Sequence, residues 1–205
     1  YYRNITRDLL IQVAQPLSVG FEKKWENVGS VNNNGLELTL STVLAKSSDF
    51  QWTFDITYGT NSNRLNGIDK PIYQTISGIS QIYRNDGELY VFNLPKWLGV
   101  DAQTGAPLWE HLEKDANGNV ISRTPTSEYA QATSQEVGHA LPKFQGGFNT
   151  SLKYKGVSLS MNVSYMYGND VYNFTRKFMD NDGHEPYYNL MEWKDGWSRW
   201  KNPGD

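Results

Sequence analysis

Residues able to do covalent chemistry are sparse and scattered in this chain. Its three histidines, His111, His139 and His184, lie far apart, in stretches without regular patterning. No HExxH, GxSxG or GxxxxGKS/T spacing occurs, so the residues for zinc hydrolysis, an elbow-borne serine or a phosphate-cradling loop are missing. Cysteine is absent, which removes disulfides, thiolate metal sites and cysteine nucleophiles together. Acidic residues are plentiful, but no pair stands out as an acid/base couple for glycoside hydrolysis. These residue types point away from an enzyme, and they call for no cofactor and no metal.

Flat aromatic surface is the abundant resource. The chain carries 7 Trp, 13 Tyr and 8 Phe, an aromatic fraction of 14%. Trp97, Trp109, Tyr129, Trp193, Trp197 and Trp200 fall in the irregular stretches. Rings set beside polar groups suit the faces of sugars and anchor protein contacts, and they also pack long loops together. The six are candidate contacts to a substrate or a partner, and their chemistry is binding.

The elements that must position them are strands. Phe144, Phe148, Leu152 and Tyr154 share one side of a period-two pattern, with Gln145, Asn149, Ser151 and Lys153 on the other. After Lys155-Gly156, Val157, Leu159, Met161, Val163, Tyr165 and Tyr167 alternate with Ser158, Ser160, Asn162 and Ser164. So short a link predicts an antiparallel hairpin. Phe50, Trp52, Phe54, Ile56 and Tyr58 mark a third strand, Leu36 to Leu44 a fourth, and Tyr1 to Val13 a weaker one. The polar faces are almost uncharged, whereas soluble sheets usually place Lys and Glu there to protect their edges. Aromatics gather near the strand ends. Apolar toward lipid, polar toward a lumen and aromatic at both interfaces is the pattern of a transmembrane barrel strand. Each run of about 11 residues, tilted near 45°, spans the ~25 Å apolar band of such a barrel. A half-buried sheet of a soluble sandwich would read similarly from the hairpin alone.

Composition bounds the rest. The chain has 205 residues and a net charge of −3, which leaves no electrostatic footprint for nucleic acid. Mean hydropathy is −0.62, and no apolar run is long enough for a transmembrane helix, which leaves a barrel open. The chain opens on Tyr1-Tyr2-Arg3 inside a strand pattern and stops at Asn202-Pro203-Gly204-Asp205 inside a polar turn, as a piece of a longer protein would. Residues 61–142 break the strand rhythm, with turn dipeptides at Asn66-Gly67, Asp86-Gly87 and Asn117-Gly118 and one local strand or hairpin within 88–100. A helix is expected from Pro186 to Trp200, where Leu190, Trp193, Trp197 and Trp200 share a helical face. The strands are then joined by long, short, long and short links. Antiparallel strands alternate in direction, so the short turns at 46–49 and 155–156 fall at one end. The loops 14–28, 61–142 and 169–205 fall at the other. Outer-membrane barrels sort their connections this way.

The ordered motifs resemble the SusC/RagA family of TonB-linked outer-membrane transporters. They are Tyr1-Tyr2-Arg3-Asn4 with Asp8-Leu9-Leu10, Asn27-Val28-Gly29-Ser30 with Asn34-Gly35-Leu36-Glu37-Leu38, and Phe50-Gln51-Trp52. Next come Gly99-Val100-Asp101 leading to Thr104-Gly105, Pro142 before Gly146-Gly147-Phe148-Asn149, Tyr154-Lys155-Gly156 and Tyr167-Gly168-Asn169. Trp200 followed by Pro203-Gly204-Asp205 closes the series. Each is weak singly, and their order and spacing give them weight. The resemblance implies an all-β fold: a partial antiparallel transmembrane β-barrel of about five long strands, an open curved sheet with long extracellular loops and one short loop helix. Residues 1–205 would be part of the C-terminal half of a barrel of about 22 strands, without plug domain, TonB box or final strand.

It further implies import of an oligosaccharide or a peptide across the outer membrane, with a SusD-like surface lipoprotein and the TonB complex as partners. Phe50, Trp52, Phe54, Ile56, Phe148, Leu152, Leu159, Met161, Val163 and Tyr165 would then face outer-membrane lipid, and Glu37, Asp55 and Lys153 the lumen. One departure is the turn Asp115-Ala116-Asn117-Gly118-Asn119, where the family often carries an acidic Asp/Gly-rich loop. It lacks the alternating acids of a calcium loop. A soluble carbohydrate-binding β-sandwich and a structural or adhesive outer-membrane barrel are the competing readings.

Overall fold

The computed structural model describes residues 1–205 except Ser77, Asn181, Asp182 and Glu185. The strands, in chain order, are β1 (Tyr2–Arg7), β2 (Leu10–Ala14), β3 (Lys23–Asn27), β4 (Ser30–Lys46) and β5 (Phe50–Asn66). There follow β6 (Ile72–Ile76), β7 (Ile79–Tyr83), β8 (Val91–Pro95), β9 (Trp97–Val100), β10 (Pro107–Lys114) and β11 (Val120–Thr126). The series ends with β12 (Ser134–His139), β13 (Phe144–Tyr154), β14 (Val157–Tyr167) and one short helix, α1 (Phe174–Met179). The chain divides into two compact units, one of residues 1–92 with 138–170, the other of 93–137 with 171–205.

The first unit is organised by an antiparallel sheet in the order β1-β4-β5-β13-β14, the five strands that the sequence pattern predicts. Its register aligns the apolar rows. Phe148 stands between Ile56 and Val163, and Leu152 between Trp52 and Leu159. Leu40 lies opposite Ile56, and Leu38 opposite Tyr58. Directly opposed residues of antiparallel strands share a face. Four strands thus contribute to one continuous apolar face. The opposite face carries Glu37, Thr39, Ser41, Thr53, Asp55, Asn149, Ser151, Ser160 and Asn162. Lys155 (φ 44) and Gly156 (φ 85) form the two-residue turn of the last hairpin, in the left-handed conformation such turns require. The Lys155 amide donates to the Asp49 carbonyl at 3.0 Å, so the two short turns lie side by side at one end.

Three expectations are corrected. The first strand ends at Arg7 rather than Val13. Asp8 takes a positive φ of 55°, and Leu10–Ala14 turns away to pair with Lys23–Asn27 inside what read as a loop. The third strand continues to Asn66, because Asn61, Ser62 and Asn63 pair with Gly35, Asn34 and Asn33 where apolar alternation has stopped. The helix lies at Phe174–Met179, capped by the Asn173 side chain, which accepts from the Arg176 amide at 2.9 Å. Residues 186–200 are irregular: the Trp197 amide donates to the Lys194 carbonyl, closing a turn through Gly196 at φ 82. A left-handed residue there cannot continue a right-handed helix.

The buried core is small and lies at the loop end. Leu65, with no exposed surface, and Val31 are opposite each other on β5 and β4. Both belong to the row of Glu37 and Asp55, so the core grows on the polar side of the sheet. Ile11 from β2, Ile68 and Tyr83 from β7 complete it, with Leu9, Val28, Ile72 and Leu89 packed around. The Asn63 side chain accepts from the Leu89 amide at 2.7 Å and ties the connection after β7 to the same row. The hairpins β2–β3 and β6–β7 are therefore drawn over the side that bears the polar row.

In the second unit β9, β10 and β11 form an antiparallel sheet in that order from one edge. The turn Asp115–Asn119 joins β10 to β11, with the Asp115 carboxylate accepting from the Asn117 and Asn119 amides. Those hydrogen bonds, first the Asn119 side chain and then its amide, lower the Asp115 pKa.

Candidate functional site

Two surfaces merit attention. The first is the apolar face of the five-stranded sheet. Leu159 is 66% exposed, Met161 49% and Trp52 38%. No second layer of the chain's described core packs on them. A soluble sandwich would have to close over this face, and the core of the unit sits on the other side.

Polar atoms on the apolar face are turned back into the sheet. The Trp52 indole N–H donates to the Thr150 hydroxyl at 2.8 Å, and that hydroxyl donates to the Thr53 carbonyl. The Tyr165 hydroxyl donates to the Thr57 carbonyl at 2.9 Å. It crosses Gly146, where any Cβ would collide with the Tyr165 ring and the Thr57 carbonyl. Thr60 donates to the Lys143 carbonyl at 2.7 Å. Unpaired donors are costly where water is absent. This face has paired these four.

Aromatics rim the face at both ends. Phe50, Trp52 and Tyr154 sit by the short turns. At the loop end Phe144 stacks on Tyr167 at 5.1 Å and on Tyr58 at 5.9 Å, with Tyr165 edge-on at 6.3 Å. Between Phe144 and Tyr154 the strand rises about 33 Å, or about 23 Å in depth at a 45° tilt.

The second surface gathers the candidate aromatics, of which Trp97 and Trp109 stand on β9 and β10 rather than in irregular loops. All six candidates lie in the second unit. Trp97, Trp109 and Tyr129 form an edge-to-face series, with centroids 5.6 Å and then 5.2 Å apart. Trp97, Trp193, Trp197 and Trp200 line one cavity with Arg176, Asp180 and Arg199. The structure therefore joins four candidates at one site and places Trp109 and Tyr129 behind Trp97. No helix presents Trp193, Trp197 and Trp200. Cations place the first two: Arg199 lies 4.4 Å over Trp193 and Arg176 4.9 Å over Trp197. Trp200 is held by its indole N–H, which donates to the Ala102 carbonyl at 2.8 Å, and by its ring on Gly105. Two motifs nearly a hundred residues apart thus meet. Asp101 shapes the same loop, accepting from the Thr104 and Gln103 amides, which lower its pKa.

Sequence reasoning did not find Glu110. This carboxylate is buried beside Gln135 at 2.8 Å, Arg123 at 2.9 Å and Lys96 at 3.4 Å. The Gln135 hydrogen bond and then the Lys96 and Arg123 cations hold its pKa below the usual carboxylate range. Its partners lie on β11, β12 and beside β9, at separations that leave no local spacing signal. Two of the histidines stand on strands, His111 on β10 and His139 at the end of β12. His111 Nδ1 is 2.6 Å from the Gln131 carbonyl and His139 Nδ1 2.9 Å from that of Leu141, while His184 is exposed. Among the described residues no three His, Cys, Asp or Glu side chains group as metal ligands.

An apolar face rimmed by aromatics, long strands and one-ended turns invite comparison with known barrels. The curated homologues of this chain are TonB-dependent receptors. Receptor P26 of Formosa agariphila is 29% identical over 192 residues, covering 84% of this chain and 18% of its own length. Receptor P39 of the same organism is 24% identical and covers the whole chain and 23% of itself. No protein-family model matches. Among solved structures, the RagAB peptide importer in its closed-closed state superposes with a TM-score of 0.77 at 24% identity, over 99% of this chain and 23% of that one. A second RagAB peptide transporter structure gives 0.76. The chain spans about a fifth of the relatives it matches, at 18%, 23% and 19% of their lengths. The fold is a partial antiparallel β-barrel, open at both edges of its long sheet.

Proposed function

We propose that this chain is a wall segment of an outer-membrane TonB-dependent importer. The apolar face is wetted by lipid through Phe50, Trp52, Phe54, Ile56, Phe148, Leu152, Leu159, Met161, Val163 and Tyr165. The row of Glu37, Asp55 and Lys153 faces the lumen. The short turns face the periplasm, and the chain presents the loops 14–28, 61–142 and 169–205 to the outside. There it meets an oligosaccharide or peptide and a SusD-like surface lipoprotein. The TonB complex acts through parts of the protein beyond this wall. Passage needs binding and gating and no covalent step.

The observation that carries this reading is the continuous apolar face with its polar atoms satisfied inside the sheet. Homology to TonB-dependent receptors and the RagAB likeness support it. The length of β4 and β5, 17 residues each, also fits. A spanning strand needs about 9–11 residues, so the surplus extends past the membrane and carries the core at Val31 and Leu65.

Nitroxide labels at Leu159→Cys and Ser160→Cys in the full-length receptor, reconstituted in vesicles, test it. Oxygen should relax the label at 159 more strongly, and a water-soluble nickel chelate the label at 160. Equal access of the nickel chelate to both positions rules the lipid face out.

A further inference from the structure

We propose that a hollow in the polar face of the long sheet, floored by Gly59 between Glu37 and Gln145, binds a lysine or arginine side chain of a transported peptide. The inference rests on the importer reading and names the substrate class that its wall takes. The hollow has a volume of about 550 Å³, inside the range of about 300–1,000 Å³ typical of ligand pockets. It lies wholly within the first unit.

Register places it on the polar face. The lining holds one complete cross-strand row, Glu37, Gly59, Gln145 and Met166, and the next polar row, that of Thr39 and Thr57. Leu38 and Tyr58, between the two rows, send their side chains to the apolar face and offer only backbone here. Neighbouring strands lie about 4.8 Å apart, so Glu37 and Gln145, on either side of Gly59, are separated by about 10 Å. The fold gives no reason for that gap. Gly59 does not take the left-handed conformation, and a Cβ there would meet only the Gln145 carbonyl oxygen at 3.8 Å, an ordinary contact. A glycine inside a strand costs stability, and it often marks a place where a ligand or another backbone comes close.

Charge on this face is sorted along the strands. On β4, β5, β13 and β14 its acids are Glu37 and Asp55, and its cations are Lys46 and Lys153, both opposite Gln51 beside the short turns. Gly59 and Gln51 are eight residues apart, about 26 Å along the strand and well beyond a Debye length of about 8–10 Å. Glu37 forms no ion pair among the described residues. The hollow is therefore acidic, and it suits a cation.

The rest of the lining favours a peptide over a sugar. A pyranose is held by ring faces, and both tyrosines of the lining, Tyr58 and Tyr165, turn theirs to the other side of the sheet. Met166, 57% exposed on the polar row, supplies instead a flexible thioether for the alkyl stem of a lysine or arginine. Glu37 then accepts the ammonium or guanidinium in a charged hydrogen bond.

The test uses the full-length receptor purified in detergent. It is titrated calorimetrically with a lysine-bearing, a neutral and an acidic peptide of equal length, and with a neutral oligosaccharide. The lysine peptide should bind about tenfold or more tighter than the neutral one, the scale of a charged hydrogen bond, and the acidic peptide most weakly. Glu37→Gln should remove that preference. Gly59→Val should weaken the lysine peptide about tenfold by filling the floor, while the melting temperature holds or rises because a β-branched residue suits a strand. A merely structural glycine would lose stability and binding together. Equal binding of the lysine and neutral peptides, a preference that survives Glu37→Gln, or oligosaccharide binding as tight as the lysine peptide's overturns the proposal. So does a Glu37→Gln receptor that keeps its peptide affinity and loses melting temperature, which assigns the hollow to a segment of the receptor itself. Glu37→Gln decides the matter if Gly59→Val misfolds. Fractionation of the same cells reports separately on the importer reading: receptor missing from the outer membrane defeats that reading and leaves the binding result standing by itself.

Discussion

Placing a charge at mid-depth on the two faces of β14 separates a lipid-wetted wall from a sheet in water. Met161 and Asn162 are adjacent, exposed and on opposite faces, paired to Thr150 and Asn149 of β13. Met161 lies four residues from Val157 at the short turn and six from Tyr167 at the aromatic rim. At about 3.3 Å per residue and a 45° tilt it sits ~9 Å from one end of the band and ~14 Å from the other. An arginine there meets hydrocarbon and costs about 2–4 kcal/mol, whereas near an interface the cost falls to about 0–1 kcal/mol. Met161→Arg should therefore lower the folded fraction about 30-fold to 1,000-fold under conditions where wild type is balanced. Asn162→Arg, facing the lumen, and Val157→Arg, at the band's edge, should each cost under about 1 kcal/mol. The assay is insertion of urea-denatured full-length receptor into thin-bilayer vesicles, scored by retained folded mobility on unheated gels across a urea series. On a solvated sheet a residue 49% exposed tolerates arginine within about 0.5 kcal/mol. Equal cost for Met161→Arg and Asn162→Arg, or a cost at Val157 as large as at Met161, refutes the lipid assignment.

Other perturbations address the loop end and the second unit. Leu65→Ala should cost about 2–5 kcal/mol, released as faster hydrogen exchange across β2–β3 and β6–β7 with β13 and β14 unaltered; unchanged exchange in those hairpins contradicts the core described. Gly105→Ala puts a methyl into the Trp200 ring at a positive φ of 73°, so about 1–3 kcal/mol should be lost, with a red shift of tryptophan emission and new protease cuts within 98–106. Glu110 has a folded pKa below its ordinary 4.5, so its contribution is present above pH 4.5 and is lost as pH falls through the folded value. Protection of β10 and β11 should accordingly drop on acidification below that pH in wild type. In Glu110→Gln it should already be reduced at neutral pH, with the acid step gone; an acid step of undiminished size in the variant counts against the carboxylate.

The long strands β4, β5, β13 and β14, their two faces and the two short turns at one end were legible in the residues, and of the first strand only its beginning. Side-chain alternation is a local consequence of extended backbone, and it is strict from Phe50 to Tyr58 and from Val157 to Tyr167, as the proposed wall with lipid on one face and a lumen on the other requires. Where β5 continues through Asn61 to Asn63 the same geometry persists, and the apolar signal stops because those residues and their partners Gly35, Asn34 and Asn33 carry no apolar side chain. The tertiary structure alone decided what happens beyond it. Val31 and Leu65 read as apolar residues on the polar row, and only hairpins folding back from distant positions explain their burial. Trp193, Trp197 and Trp200 are spaced like a helix face, yet stacking on Arg199 and Arg176 and the close approach to Gly105 outweigh a helix that Gly196 interrupts. Glu110 takes its partners from residues 13, 14 and 25 positions away. A period is written into neighbouring residues by the backbone, whereas contacts between loops depend on chain paths that no short window of sequence contains.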